Sequence, residues 1–245
     1  MHALPFACHR AVPEAARDLA LGPDGLAAQL AGLGRAGDCA PGCAHAAVAS
    51  RVEGGAMVRD GSPCYYVWRR ADASGAQVAV VAALPLDELP GDASADDDGP
   101  AWRELLATGC QARVPVATYQ ASPVMDFLVS AACEAEPLYD VTDAAGARHL
   151  VWRVGRTAAV ESLQAMFERL GEALPVSGAD ALAAARRMAD GMPRDCAAAY
   201  AAVALVGAAS DADAARAAHM GLPQGLLVRR VDDPALGLDG RRAAR

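Results

Sequence analysis

The sequence predicts an α+β fold, a mixed and antiparallel-rich sheet of hairpins with helices packed on it. Two pairs of β-rich runs joined by short turns carry the sheet: Cys64–Trp68 with Gln77–Leu86, and Leu138–Asp143 with His149–Val154. The helices are carried by amphipathic stretches. The clearest, Ala158–Ala173, sets Val160, Leu163, Met166, Phe167 and Leu170 on one side.

Residues 1–12 read as an extended segment around Pro5-Phe6. Residues 13–34 read as helical with a break at Gly22-Pro23, and Asp24 caps a second piece whose Leu26, Leu30 and Leu33 share a face. Residues 35–45 form a loop holding Cys39, Cys43 and His45. Ala73-Ser74-Gly75 closes the first hairpin. Residues 90–100 form an acidic surface loop containing Asp96, Asp97 and Asp98. A helix starts at Trp102–Ala107, a strand covers Val114–Tyr119, and a helix covers Val124–Ala135. Ala144-Ala145-Gly146 closes the second hairpin. Val176–Asp180 is a short connector into a helix at about 181–190, and Tyr200–Val206 is a further strand. With no internal repeat and no dividing linker, residues 1–228 are expected to form one domain, followed by a flexible tail at 229–245.

The composition narrows the function classes. The chain has 245 residues, and 53% are apolar, but 61 of them are alanine, which buries little surface. The core must rest on Leu, Val and a few aromatics. There is no lysine, so a Schiff base, a pyridoxal-phosphate anchor and a P-loop lysine are excluded. A net charge of −8 disfavours a nucleic-acid partner. The apolar run between Asp195 and Asp211 is too short for a membrane span. Seven cysteines at irregular spacing, with no export signal, read as reduced thiols in the cytoplasm.

Each reactive motif has a plainer reading beside it. Cys39, Cys43 and His45 are soft ligands, but zinc wants a fourth ligand and usually paired Cys-x-x-Cys knuckles, so free loop thiols are the default. Asp96–Asp98 could hold Mg²⁺, but consecutive carboxylates aim at one ion only in a tightly shaped loop. Ser177 and Gly178 before a helix could seat a phosphate on free N–H groups, with Arg186 and Arg187 nearby. Asp180 as the N-cap would fill those donors and repel an anion. His149, in a strand beside Leu150 and Trp152, reads as structural, and no Ser/His/Asp set is legible.

Two stretches carry a resemblance. Gly55-Ala-Met-Val-Arg-Asp60-Gly-Ser-Pro63-Cys-Tyr65-Tyr66-Val-Trp68-Arg69, followed by Leu86-Asp87-Glu88, is one. Tyr139-Asp140-Val-Thr142-Asp143-Ala-Ala-Gly146-Ala-Arg-His149-Leu-Val-Trp152 is the other. Both resemble motifs of a bacterial and archaeal family catalogued as a domain of unknown function, number ten-fifteen. Weaker echoes lie at Pro5-Phe6 and Pro23-Asp24, and the resemblance covers about residues 1–210. It implies a core like that of the ParB/sulfiredoxin fold and of the small-molecule serine kinase built on it.

The departures bear on activity. The family's His-Glu-x-Thr motif is replaced by the Asp96–Asp98 loop, and its Asp-Gly-His-His-Arg motif by Val176-Ser-Gly-Ala-Asp180 and the residues after it. Phosphoryl transfer rests on positioning and charge neutralisation, and the groups that would supply them are gone. The expectation is a degenerate, non-catalytic family member that needs no cofactor. It binds a small metabolite or a protein partner through a remnant nucleotide cleft, and a homodimer could cover a face left bare. The alternative is an ATP- or ADP-dependent kinase of a serine-like hydroxyl compound, with a phosphate site rebuilt from Ser177, Gly178 and Arg186 and Mg²⁺ on Asp96–Asp98.

Overall fold

In a computed structural model, which describes residues 1–21, 45–91, 99–190, 192–193, 196–221, 223, 226–231 and 233, the two expected hairpins lie side by side. Strand β1 (His9–Ala11) and β2 (Met57–Arg59) precede them. The first hairpin is β3 (Tyr65–Asp72) and β4 (Gly75–Pro85), paired from Tyr66↔Val81 to Asp72↔Gly75. The second is β7 (Tyr139–Thr142) and β8 (Arg148–Val154), and β8 runs antiparallel to β3 from Tyr65↔Val154 to Ala71↔Arg148. Gly75 and Gly146 take φ of 127° and 83° at the turns, where a side chain would be strained.

Three further strands extend this sheet. They are β6 (Val116–Gln120), β9 (Leu174–Ser177) and β10 (Tyr200–Ala208). The order is β7-β8-β3-β4-β10-β6-β9, with β10 antiparallel to β4 and parallel to β6, so the sheet is mixed as expected. A second sheet orders β2-β1-β11-β5, where β5 is Cys110–Gln111 and β11 is Leu227–Arg230.

Side-chain alternation divides the core into two faces. Tyr66, Trp68, Val81 and Ala83 face one side, against Phe6 and against Met57, Leu227 and Val228 of the small sheet. Tyr65, Val67, Val80 and Leu84 face the other, against helices. Both sides of β3 are buried over Tyr65–Trp68, which is why that half is a continuous apolar run rather than an alternation. The helices on the second face are α4 (Pro123–Ala132), α5 (Thr157–Arg169) and α6 (Ala179–Ala189), which supply Met125, Leu163, Phe167 and Leu182. Full burial of a side chain such as Phe167 stabilises the fold by about 1.5–3 kcal/mol. The remaining helices are α1 (Ala16–Leu21), α2 (His45–Glu53), α3 (Pro100–Thr108) and α7 (Asp211–Ala218).

Several expectations are corrected. The helix expected to reach Ala173 ends at Arg169, because Leu170 turns extended at ψ 154°. The expected connector Val176–Asp180 is divided between the end of an edge strand, β9, which takes Val176 and Ser177, Gly178 as the N-cap of α6, and the first turn of that helix. Asp180 is therefore not the cap but lies in the first turn. The expected tail from 229 begins too early, since Arg229 and Arg230 belong to β11 and Arg229 is 2% exposed. Charge alone suggested solvent there, but the guanidinium donates to the Tyr200 carbonyl at 2.8 Å and to that of Ala197. The helix break at Gly22-Pro23, the Asp24 cap, Cys39, Cys43 and the Asp96–Asp98 loop lie outside the described residues.

Candidate functional site

Asp60, just after β2, is a buried carboxylate at 4% exposure. It accepts from Arg10 Nε with both oxygens, at 3.1 and 3.2 Å, pairs with Arg153 Nε at 3.1 Å, and accepts the Tyr66 hydroxyl. The strands β1, β3 and β8 bring these groups together, and the Asp60 N–H donates to the Cys8 carbonyl. Burial pushes the Cys8 and Cys64 thiols up, and the Asp60 charge adds to the effect. Burial likewise pushes the Tyr66 hydroxyl up. Protonated, enclosed thiols are poor nucleophiles, and the contacts around Asp60 tie β1, β3 and β8 together.

His149 sits at the base of the second hairpin. The Trp68 indole donates to its Nδ1 at 3.2 Å, and the two rings stack at 5.6 Å. Nδ1 is thus an acceptor, which places the ring proton on Nε2, 3.0 Å from Asp143. Asp143 also accepts the N–H groups of Ala145 and Ala147, each at 2.9 Å, so it shapes the turn. The His149 hydrogen bond, helped by those backbone donors, holds the Asp143 carboxyl below the usual carboxylate range. With His149 only 1% exposed, this relay lies inside the fold.

The expected phosphate site lies at the start of α6. Gly178 has φ 76°, and a Cβ there would lie 2.7 Å from the Pro115 Cα. Ser177 belongs to β9, opposite Val116. Arg186 does not turn back to them. It lies eight residues along the helix, about 12 Å of rise, and its Nη2 donates to the Leu89 carbonyl at 2.7 Å. Arg187 stacks on the Trp102 ring at 4.2 Å. Arg113 is gripped in two prongs by the buried Glu104, at 2.8 and 2.7 Å. The hollow lined by Glu104, Arg113, Ala181 and Ala184 measures only 20 Å³, about one water. Arg186 is thus not brought together with Ser177 and Gly178.

A different opening lies in the main sheet. Pairing of β10 with β4 stops at Leu205↔Val80. Beyond it β4 stays with β3 as far as Gly75, and β10 stays with β6 as far as Ala208↔Gln120. The two halves of the sheet part there, leaving a 220 Å³ cavity lined by Gln77, Val78, Tyr119, Asp126, Gly207 and Arg216, among others. Tyr119, 5% exposed, lines this cavity, and its ring meets Phe167 edge-on at 6.3 Å. Burial, with the charge of Asp126 adding to it, pushes the Tyr119 hydroxyl above its ordinary value. Arg216 donates one guanidinium nitrogen to Asp213. In the sequence Tyr119 reads only as a strand residue, because no local pattern marks where two strands stop pairing.

Residues 42–198, well over half of the chain, match the family described as "Protein of unknown function (DUF1015)". The chain belongs to the DUF1015 family. No curated protein and no solved structure matches it. The DUF1015 stretch contains Asp60, Trp68, Tyr119, Asp126, His149, Ser177, Gly178 and Arg186, whereas Gly207, Arg216 and β11 lie beyond it. Among the described residues no group of three or more His, Cys, Asp or Glu side chains could hold a metal ion. Among them, too, no helix is long and apolar enough to cross a membrane.

Proposed function

We propose that the chain is a non-catalytic DUF1015 member that binds a small molecule or a protein partner and does not transfer phosphate. The observation that supports this is that the arginines near α6 are already engaged within the fold. Glu104 holds Arg113, the Leu89 carbonyl holds Arg186, and Asp180 adds negative charge in the first turn. A triphosphate would have to displace the buried carboxylate of Glu104 to win Arg113, at a cost of several kcal/mol. A ParB/sulfiredoxin-like core and a reducing, cytoplasmic setting complete the proposal. Cys8, Cys64, Cys110, Cys133 and Cys196 form no disulfide among the described residues, which favours that setting.

The test is a phosphotransfer assay with ATP or ADP, Mg²⁺ and serine or a similar hydroxyl compound, alongside thermal unfolding with the same nucleotides. The expected result is no transfer and no Mg²⁺-dependent rise in the midpoint. A native-state ligand at a hundredfold excess over Kd would stabilise by about 2.7 kcal/mol, so a bound nucleotide would be visible. Phosphate transfer would overturn the proposal and restore the kinase reading.

A further inference from the structure

We infer that Arg10, Arg153 and Ser62 form a binding site for an oxyanion, the carboxylate or phosphate group of a small ligand. The site shares no residue with the start of α6, so it stands or falls apart from the reading of the chain as non-catalytic.

The first support is a charge count. The Nε atoms of Arg10 and Arg153 both lie 3.1 Å from the same oxygen of Asp60, so two guanidiniums share one carboxylate. Among the described residues, neither arginine pairs with any other carboxylate. The neighbouring Cys8, Cys64, Tyr66 and Tyr139 are pushed up by burial and stay neutral at pH 7. The cluster therefore carries one positive charge in excess. Asp60 itself is 4% exposed and already accepts Arg10 Nε with both oxygens and the Tyr66 hydroxyl with one. Its charge is spent inside the fold, and the excess stays on the two arginines, which reach the surface. Like charges held this close at a partly buried site favour an anion beside them.

The second support is the way Arg153 is held. Its Nη2 donates to the Ser62 hydroxyl at 3.3 Å, and that hydroxyl, on an exposed loop residue, keeps its own proton to donate. At Gly155 a Cβ would stand 2.7 Å from Nη1 and 3.0 Å from Cζ, so only glycine lets the guanidinium lie against the chain there. Asp60, Ser62 and Gly155 thus fix the fork on three sides, while the side chain remains 32% exposed. Arg10, 14% exposed, also bonds the Tyr139 hydroxyl and still has N–H groups to give. A guanidinium presents its N–H groups in a planar fork that matches two oxygens of one carboxylate or phosphate. The oxyanion takes N–H groups from both arginines and the proton of Ser62. A cation would add to the excess charge, and a neutral ligand would leave it uncompensated.

The test is isothermal titration calorimetry of the full chain with inorganic phosphate and with acetate, at one ionic strength set by sodium chloride. Saturable binding at one site per chain is expected, and the tighter of the two probes names the group the site takes. Arg153→Lys keeps the charge but loses the fork, and Gly155→Ala pushes the guanidinium aside. Each should weaken the tighter probe about tenfold, the scale of one charge-assisted hydrogen bond. Ser62→Ala should weaken it roughly threefold, as for a neutral one. Arg148→Gln, which removes an exposed cation paired with Asp140, should leave the affinity unchanged. Ser62 is exposed, and a Cβ at Gly155 meets only the end of a flexible side chain, so both of those variants fold and keep the test open should Arg153→Lys unfold. No saturable binding of either probe, unchanged affinity in Gly155→Ala and Ser62→Ala, or an equal loss in Arg148→Gln would overturn the inference.

Discussion

The Trp68 indole N–H and the His149 Nδ1 meet at 3.2 Å across the junction of the two hairpins, and this contact decides which nitrogen of His149 faces Asp143. The consequence is a dependence on acid. Asp143 has a lowered carboxyl value, so its contribution to stability is complete above the unfolded carboxylate value of about 3.9. That contribution is lost as the pH falls through the lowered, folded value. Asp143→Asn should cost about 1–2 kcal/mol at pH 7 and flatten the acid limb of a stability-versus-pH curve from urea melts. Parallel acid limbs in the two proteins would disprove the relay's role.

Asp60 anchors two arginines in the core. Asp60→Ala leaves Arg10 and Arg153 without their carboxylate, and breaking such a buried set costs about 3–5 kcal/mol. Urea denaturation should show the loss as a lower midpoint at unchanged slope. A loss under about 1 kcal/mol would mean that water replaces the carboxylate.

Gly178 is fixed by two constraints, its left-handed φ of 76° and the Pro115 backbone 2.7 Å from any Cβ. Gly178→Ala should destabilise by about 2 kcal/mol or more, from backbone strain and the forced shift. The readout is the thermal midpoint. If the variant is as stable as the parent, the close approach to Pro115 relaxes freely.

Arg229 satisfies two buried carbonyls. Arg229→Met keeps volume but strands the oxygens of Tyr200 and Ala197, at about 1–3 kcal/mol for each group left unmade. Hydrogen exchange should quicken in β11 and β1 before it does in β8. Uniform exchange across both sheets would contradict a local role.

The hairpins were legible because their cues are local. A β-branched or aromatic run, a turn glycine and a second run lie within about twenty residues of one another. The small sheet was not. β11 contains two consecutive arginines, and only its partners β1 and β5, far away in sequence, make Arg229 an interior residue. β9 was hidden by its length and by Pro175, which an edge strand tolerates. α7 is rich in alanine and charge, so its apolar face is thin, and only Ala217 is fully buried. At the expected phosphate site the motif order was readable, whereas the fate of Arg186, spent on Leu89, depends on a loop 97 residues away. The Tyr119 cavity depends on where pairing ends, which is a property of three strands together.

The position of β10 carries a consequence for synthesis. It is the last of the seven main-sheet strands to leave the ribosome, yet it stands between β4 and β6 at the middle of the order. Until residues 200–208 emerge, two apolar strands that end up buried in the finished sheet present bare edges. The nascent chain must keep those edges apart from other chains for most of its translation, so its yield in cells should depend on chaperone supply more than its final stability suggests.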